Sequence, residues 1–324
     1  MAETESRTTT AADLVPSAMP PAMRVTAVGR TETPIGYRTT ACLFHERASL
    51  TVVWDARQPD TRIVPGCLAG IRWSGRPDCE NGEIRIARLV RYDLPVAHEN
   101  LFASVPHDWV ADRELVRRAG LLWEALPRCF RHLFNAVFWE GGRFGRYLTG
   151  PSSLNGHHKN RNGNLRHCVE VAEGAMRAAE DCEQVSVPIL IIAGLLHDAG
   201  KADEYRLDPK RRTFSLSDRG ALVGHKHTVL EWIAAARAAH RVIIPEAAYL
   251  VLVHALTATR GAPPWIGVPE PASLEANILS AADRLSGQSN LVADATNESA
   301  AGGFGRYHRH LRGRPYVAPT IDPE

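Results

Sequence analysis

The 324-residue sequence predicts an α+β multidomain protein, a small N-terminal β-barrel followed by an all-α domain. Two patterns predict this. Between Arg24 and Asp93, short runs rich in Val, Ile, Thr and aromatic residues follow one another, several of them separated by Pro, Gly, Asp or Asn. From about Asn100 onward, apolar residues recur at three- and four-residue spacing. The length suits two domains. With 44% hydrophobic and 23% charged residues, the chain has the means to bury a core in each.

The β region contains RVTAV, TTACLF, SLTVVWDA, CLAGIRWSG and EIRIARLVRY. The third and fifth runs alternate apolar with polar residues, as half-buried strands do. Five short strands in so little chain suit a small barrel of the OB type, assigned here to residues 23–97. Residues 1–22 are polar and rich in Thr, Ala and Pro, and are expected to form a disordered leader.

The helical domain is assigned to residues 98–292. RELVRRAGLLWEALPRCFRHLFNAVFW and EVAEGAMRAAE carry the helical period. VPILIIAGLLHDAGK is apolar all round and predicts a buried helix, with Ser186 as N-cap, Pro188 in the first turn and Gly200 at the end. GHKHTVLEWIAAARAAH, PEAAYLVLVHALTA and SLEANILSAADRLSG predict three more helices. Residues 293–324 form a Gly/Arg-rich segment expected to be a flexible tail. It interleaves Arg306, Arg309, Arg312 and Arg314 with Phe304, Tyr307 and Tyr316, a composition able to bind a nucleic-acid backbone and stack on bases.

Several classes are excluded or disfavoured. A net charge of +2 gives no global field for nucleic acid, so only local patches can recruit it. The six cysteines form no CxxC pair, which argues against a thiolate zinc site or a redox motif. No segment has the roughly 18 apolar residues of a membrane span, and the first stretch lacks an apolar run of signal-peptide length. A cytoplasmic protein with reduced thiols and no membrane partner is expected. GxxxxGK[ST], GxSxG and HExxH motifs are absent.

The chemistry is concentrated in LLHDAGK, residues 195–201. His197 and Asp198 stand side by side at the end of a strongly apolar helix. Burying a carboxylate without a partner costs several kcal/mol. A divalent cation is the simplest partner for an imidazole beside a carboxylate. His167, His225, His254 and Asp283 repeat the anomaly, each standing in or at the start of another predicted helix. His227 lies two residues from His225 and points elsewhere on a helix.

The order His167, His197–Asp198, His225, His254, Asp283 resembles the HD superfamily of metal-dependent phosphohydrolases. NGHHKNRNGNLRHCVEVAE, GLLHDAGK and LVGHKH are more narrowly similar to segments of YhaM-like 3′-to-5′ exoribonucleases, a family that also carries an N-terminal OB-fold. Asn164 stands where that family tends to have a second Gly, and Ala255 where it often has a second His.

The resemblance implies that His167, His197, Asp198 and Asp283 hold one cation, and that His225 and His254, with Asp198 bridging, hold a second. One or two divalent ions per chain are expected. Manganese fits this His/carboxylate set, with magnesium or iron as alternatives. Asp198, Lys201, His157 and His158 are the catalytic candidates: Lys201 to neutralise charge developing on phosphate, His157 and His158 to contact phosphate or protonate the leaving oxygen.

The expected function is metal-dependent phosphodiester hydrolysis, foremost 3′-to-5′ removal of nucleotides from single-stranded RNA, with DNA as the other strand. The barrel would guide the strand, with Trp54, Arg72 and Trp73 as candidate contacts. Two alternatives stay open. One is a phosphohydrolase of free or cyclic nucleotides. The other is a nucleic-acid-binding accessory protein of a mobile element, since a related HD domain occurs in some conjugative-element proteins. Whether the chain forms a homo-oligomer is also left open.

Overall fold

The structure is a computed structural model and describes residues 19–75, 78–80, 82–139, 142–156 and 158–321. It divides into two compact units between Gly120 and Leu121. The first unit is built on β1 (Met23–Thr33), β2 (Gly36–His45), β3 (Ala48–Ala56), β4 (Leu68–Arg72), β5 (Asp78–Glu80), β6 (Glu83–Arg85) and β7 (Arg88–Arg91).

These seven strands form one sheet in the order β5-β6-β3-β2-β1-β4-β7. β1, β2 and β3 are an antiparallel meander, and β4 returns antiparallel to β1. β6 runs parallel to β3, whereas β7 runs antiparallel to β4. The break between β6 and β7 is where the sheet curls shut. Ile86 N–H donates to the Val53 carbonyl on β3 (3.0 Å), and the next residue, Ala87, donates to the Arg72 carbonyl on β4 (2.8 Å). β6 and β7 therefore act as one broken fifth strand that links both sides of the curl. This is the connectivity of an OB-like barrel.

Alternation decides which side chains face inward. Ala41 and Leu43 on β2, and Leu50, Val52 and Trp54 on β3, join Met23, Val25, Ile63, Ala69, Ile84, Ile86 and Leu89 in one core. Full burial of each large apolar side chain stabilises by roughly 1.5–3 kcal/mol. Trp54 is only 5% exposed, so its ring is core packing and is closed to a passing strand. Trp73 is partly buried against the same core.

The helices are α1 (Arg113–Glu124), α2 (Arg128–Val137), α3 (Arg143–Thr149), α4 (Gly163–Ala178), α5 (Val187–Leu196), α6 (Lys201–Glu204), α7 (Asp218–Leu222), α8 (Gly224–His240), α9 (Glu246–Thr257) and α10 (Leu274–Thr296). A hairpin, β8 (Tyr205–Asp208) with β9 (Thr213–Leu216), interrupts them. Among the described residues no helix is long and apolar enough to cross a membrane. α5 is buried from Ile189 to Leu196, as its unbroken apolar sequence requires. It packs against α4, α9, α10 and α2. Its first turn carries Pro188, and Ser186 occupies the N-cap position with its side chain uninvolved.

Gly200 does not end α5. That helix stops at Leu196, with His197 as its C-cap, and Gly200 has right-handed helical angles (φ −61°, ψ −17°) at the start of α6. Glycine is needed there for a different reason. A Cβ at position 200 would overlap the backbone of His225 at the start of α8.

The C-terminal segment, expected to be a flexible tail, begins inside α10, which runs to Thr296. Beyond it the chain folds back. Gly302, Gly305 and His308 donate to the Val317, Pro315 and Gly313 carbonyls, and the Phe304 and Tyr316 rings meet edge-on at 5.0 Å. Arg306 anchors this hairpin to the helix end by its N–H on the Ala295 carbonyl (2.9 Å) and by an ion pair with Asp294 (2.7 Å).

Candidate metal centre

Three elements of the second unit carry the centre. α4 supplies His167, the turn after α5 supplies His197 and Asp198, and α10 supplies Asp283. Among the described residues, His167, His197 and Asp283 each present a ligand atom within 4.8 Å of the others. His167 Nε2 lies 3.3 Å from His197 Nε2, 3.0 Å from Asp283 Oδ1 and 3.4 Å from Asp198 Oδ2. His197 Nε2 lies 3.6 Å from Asp198 Oδ2 and 3.9 Å from Asp283 Oδ1.

The protons can be traced. His197 Nδ1 lies 2.8 Å from the Gly194 carbonyl, which can only accept, so Nδ1 carries the hydrogen. Ser286 donates its hydroxyl to Glu170 Oε2 (2.8 Å), so its oxygen accepts from His167 Nδ1 (3.1 Å). In the neutral form each imidazole would therefore turn an Nε2 lone pair into the cluster. There the lone pairs would face each other and two carboxylate oxygens. Acceptors converging at a place where His167, His197 and Asp198 are buried and Asp283 half-exposed are matched by a cation. Neutral imidazole nitrogens and carboxylate oxygens are the donors a divalent transition metal takes.

A second position repeats this logic. Glu204 Oε2 accepts from both His225 Nδ1 (2.7 Å) and His225 N–H (2.8 Å). His225 Nε2 then lies 3.4 Å from Asp198 Oδ1. Asp198 thus presents one oxygen to each position. Burial opposes its ionisation, but the charge of Lys201, foremost among the opposing influences, holds its carboxyl well below the usual range. Burial lowers the His197 pKa against the pull of Asp198 and Asp283, which favours the neutral, ligating form.

The remaining sequence candidates sort as follows. Lys201 Nζ is 2.5 Å from Asp198 Oδ2 and 3.3 Å from Ser152 Oγ. Its charge is committed to Asp198, so here it is neither a solvated surface lysine nor turned toward a phosphate. His158 is buried, with Nε2 3.1 Å from Glu170 Oε2 and its backbone N–H on Asn290 Oδ1 (2.9 Å). It supports Glu170 rather than facing the cluster. His157 lies outside the described residues. His254 is not brought into the cluster: its Nε2 accepts the Ala272 N–H at 2.8 Å, which occupies the lone pair a metal would need. His227 is exposed and bonds the carbonyl of Val223, the N-cap of α8. Asn164 Nδ2 donates to the Asp198 carbonyl at 3.4 Å, giving that residue a place beside the centre.

Sequence reasoning missed Glu170, Ser286, Glu204 and Ser152. A signal existed for two of them. Glu170 follows His167 by three residues, and Ser286 follows Asp283 by three, the spacing that puts side chains on one helix face.

The HD domain family matches residues 164–288, a span that holds all six candidate ligands. Over 197 residues the chain is 26% identical to the 3′-5′ exoribonuclease YhaM of Bacillus licheniformis, a stretch that covers 60% of this chain and 59% of that relative. The chain thus matches less than two thirds of the relative's length. No solved structure matches it. Residues 164–288 thus form an HD domain that carries a His/His/Asp metal site and is preceded in sequence by an OB-like sheet, and the chain resembles YhaM-like members of the HD superfamily of metal-dependent hydrolases.

Proposed function

We propose that this protein is a metal-dependent phosphodiesterase that removes nucleotides from the 3′ end of single-stranded RNA. The observation that carries the hydrolytic reading is the convergence of two imidazole lone pairs and two carboxylates around a position that only a cation can satisfy. Support for a strand as substrate comes from the similarity to an exoribonuclease and from the OB-like barrel, a module that commonly tracks single strands.

His167, His197 and Asp283, with Asp198, would hold one cation, and His225 with Asp198 a second. Manganese suits this donor set. Bound there, the ions supply an activated water and charge stabilisation for in-line displacement at phosphorus. The protein's own part is orientation. Ser286, the Gly194 carbonyl and Glu204 fix three imidazole tautomers, and Lys201 keeps Asp198 ionised.

The test uses purified protein, manganese and single-stranded RNA labelled at its 5′ end. Stepwise shortening with release of mononucleotides is expected, and a 3′ block should prevent it. His197→Ala and Asp283→Ala, each of which would remove a donor to the cation, should lose at least about a thousandfold in rate. Intact RNA with wild-type protein, or variants equal to wild type, would overturn the reading. Turnover of free or cyclic nucleotides with the strand left whole would transfer the activity to a small substrate.

A further inference from the structure

A cleft of about 390 Å³ lies between the start of α8, the chain leaving α9, and α10. Lys226, Arg260 and Arg284 line it together with Thr259, Asn277 and Ser280. Two of the three cations directly follow residues of the metal centre in sequence: Lys226 follows His225, and Arg284 follows Asp283. Neighbours on a helix diverge by about 100°, so the same two helix segments that turn His225 and Asp283 to the metals turn a cation aside into the cleft.

The partners of these cations are neutral. Lys226 Nζ reaches Thr259 Oγ1 at 3.4 Å, and Arg260 donates to Asn277 Oδ1. Among the described residues none of the three is ion-paired with an acid. Three like charges gathered in one concavity repel one another and attract an anion. The volume exceeds what a lone phosphate fills and lies in the range of nucleotide-sized ligands. Five residues beyond Arg260, on the same loop, Trp265 is 84% exposed. A large aromatic so exposed has nothing to gain from the fold, but it is the side chain that stacks best on a base.

We infer that this cleft binds a backbone phosphate of the single strand next to the scissile one, with Trp265 stacking on an adjoining base. This rests on the strand reading above and names the residues that would make it a strand enzyme rather than one for free nucleotides.

The experiment measures equilibrium binding of a fluorescent, 3′-capped single strand, which the enzyme holds without consuming, across a salt series. Lys226→Gln/Arg260→Gln/Arg284→Gln should bind at least about tenfold more weakly. The slope of log affinity against log salt should become shallower by about 0.7 for each phosphate that the variant no longer neutralises. Arg260→Lys/Arg284→Lys keeps the charge and should keep the slope. Trp265→Ala should weaken binding by about tenfold with the slope unchanged, because stacking is neutral. Manganese content equal to wild type shows that the neighbouring centre is intact in each variant.

A triple variant with wild-type affinity and slope overturns the inference while strand hydrolysis by wild type stands. If the three cations govern binding of inorganic phosphate or a nucleoside monophosphate but not of the strand, the cleft is a small-anion site and the inference is again overturned. Wild type that neither binds nor degrades a strand removes the proposed function together with this one.

Discussion

Each imidazole of the centre is held by a bond on the side away from the cluster, and that bond decides which nitrogen is free. For His167 the chain of control runs from Glu170 through Ser286. Burial opposes the charge on Glu170, but the bond and charge of His158 together with the Ser286 bond keep its carboxyl below the ordinary value. Ser286→Ala removes the acceptor for His167 Nδ1–H. It should weaken binding of the first cation about 10- to 100-fold, the usual effect of losing such an outer partner. Calorimetric titration of metal-free protein with manganese checks this, and Ser286→Thr, which retains the hydroxyl, should recover most of the loss. Equal affinity for Ser286→Ala and wild type would mean that the tautomer is set another way. The converging residues were legible in the sequence because His197, Asp198 and Asp283 interrupt apolar helices. Their partners were not, because Glu170 and Ser286 look like ordinary polar helix residues until the helices are packed.

Among the elements, the barrel was the most readable part, since each of the five apolar runs became a strand of the OB-like core. The fifth became two, and nothing in EIRIARLVRY marks the break at Ile86–Ala87; it follows from closure of the sheet onto β3 and β4. The β8–β9 hairpin was invisible because its strands are four residues each and largely exposed, with no buried face to impose alternation. Gly200 was legible as a special position but not for the right cause, since a helix-ending glycine and a close-contact glycine look alike in one sequence. Packing separates them and yields a test. Gly200→Ala would drive a methyl group into the His225 backbone. The neighbour is backbone, so the start of α8 has to shift, with an expected loss of roughly 1–3 kcal/mol. Because His225 opens α8, the same shift should reduce manganese bound per chain toward one. Calorimetric melting and metal analysis on one preparation check both effects; a variant with wild-type melting and metal content would show that α8 absorbs the methyl without moving the ligand.

At the scale of the whole molecule, a net charge of +2 hides local contrasts, the basic cleft in one unit and a buried cation in the other. In the barrel, Arg24 is 5% exposed and donates to the Gly66 carbonyl and Ser104 Oγ, both at 2.8 Å, and burial lowers its pKa to about 10. Arg24 stays charged at neutral pH, so acid sensitivity of this unit must come from elsewhere, and His45 at the end of β2 is placed to supply it. Its Nδ1 accepts the Arg47 N–H at 3.2 Å, and burial, followed by the nearby Arg47 charge, lowers its pKa to about 4. The unfolded chain has an ordinary value near 6.5, so between those two values the unfolded state takes up a proton that the folded state refuses. Stability is then fully present above about pH 6.5 and is lost progressively as pH falls toward about 4. His45→Gln removes that proton linkage. In metal-free protein, where ligand protonation cannot release a cation, the melting temperature of wild type should fall more steeply than that of His45→Gln across this window. Above it the two curves should run parallel. Parallel curves through the window as well would mean that His45 is free to protonate in the fold and that the acid response of the molecule lies with its carboxylates.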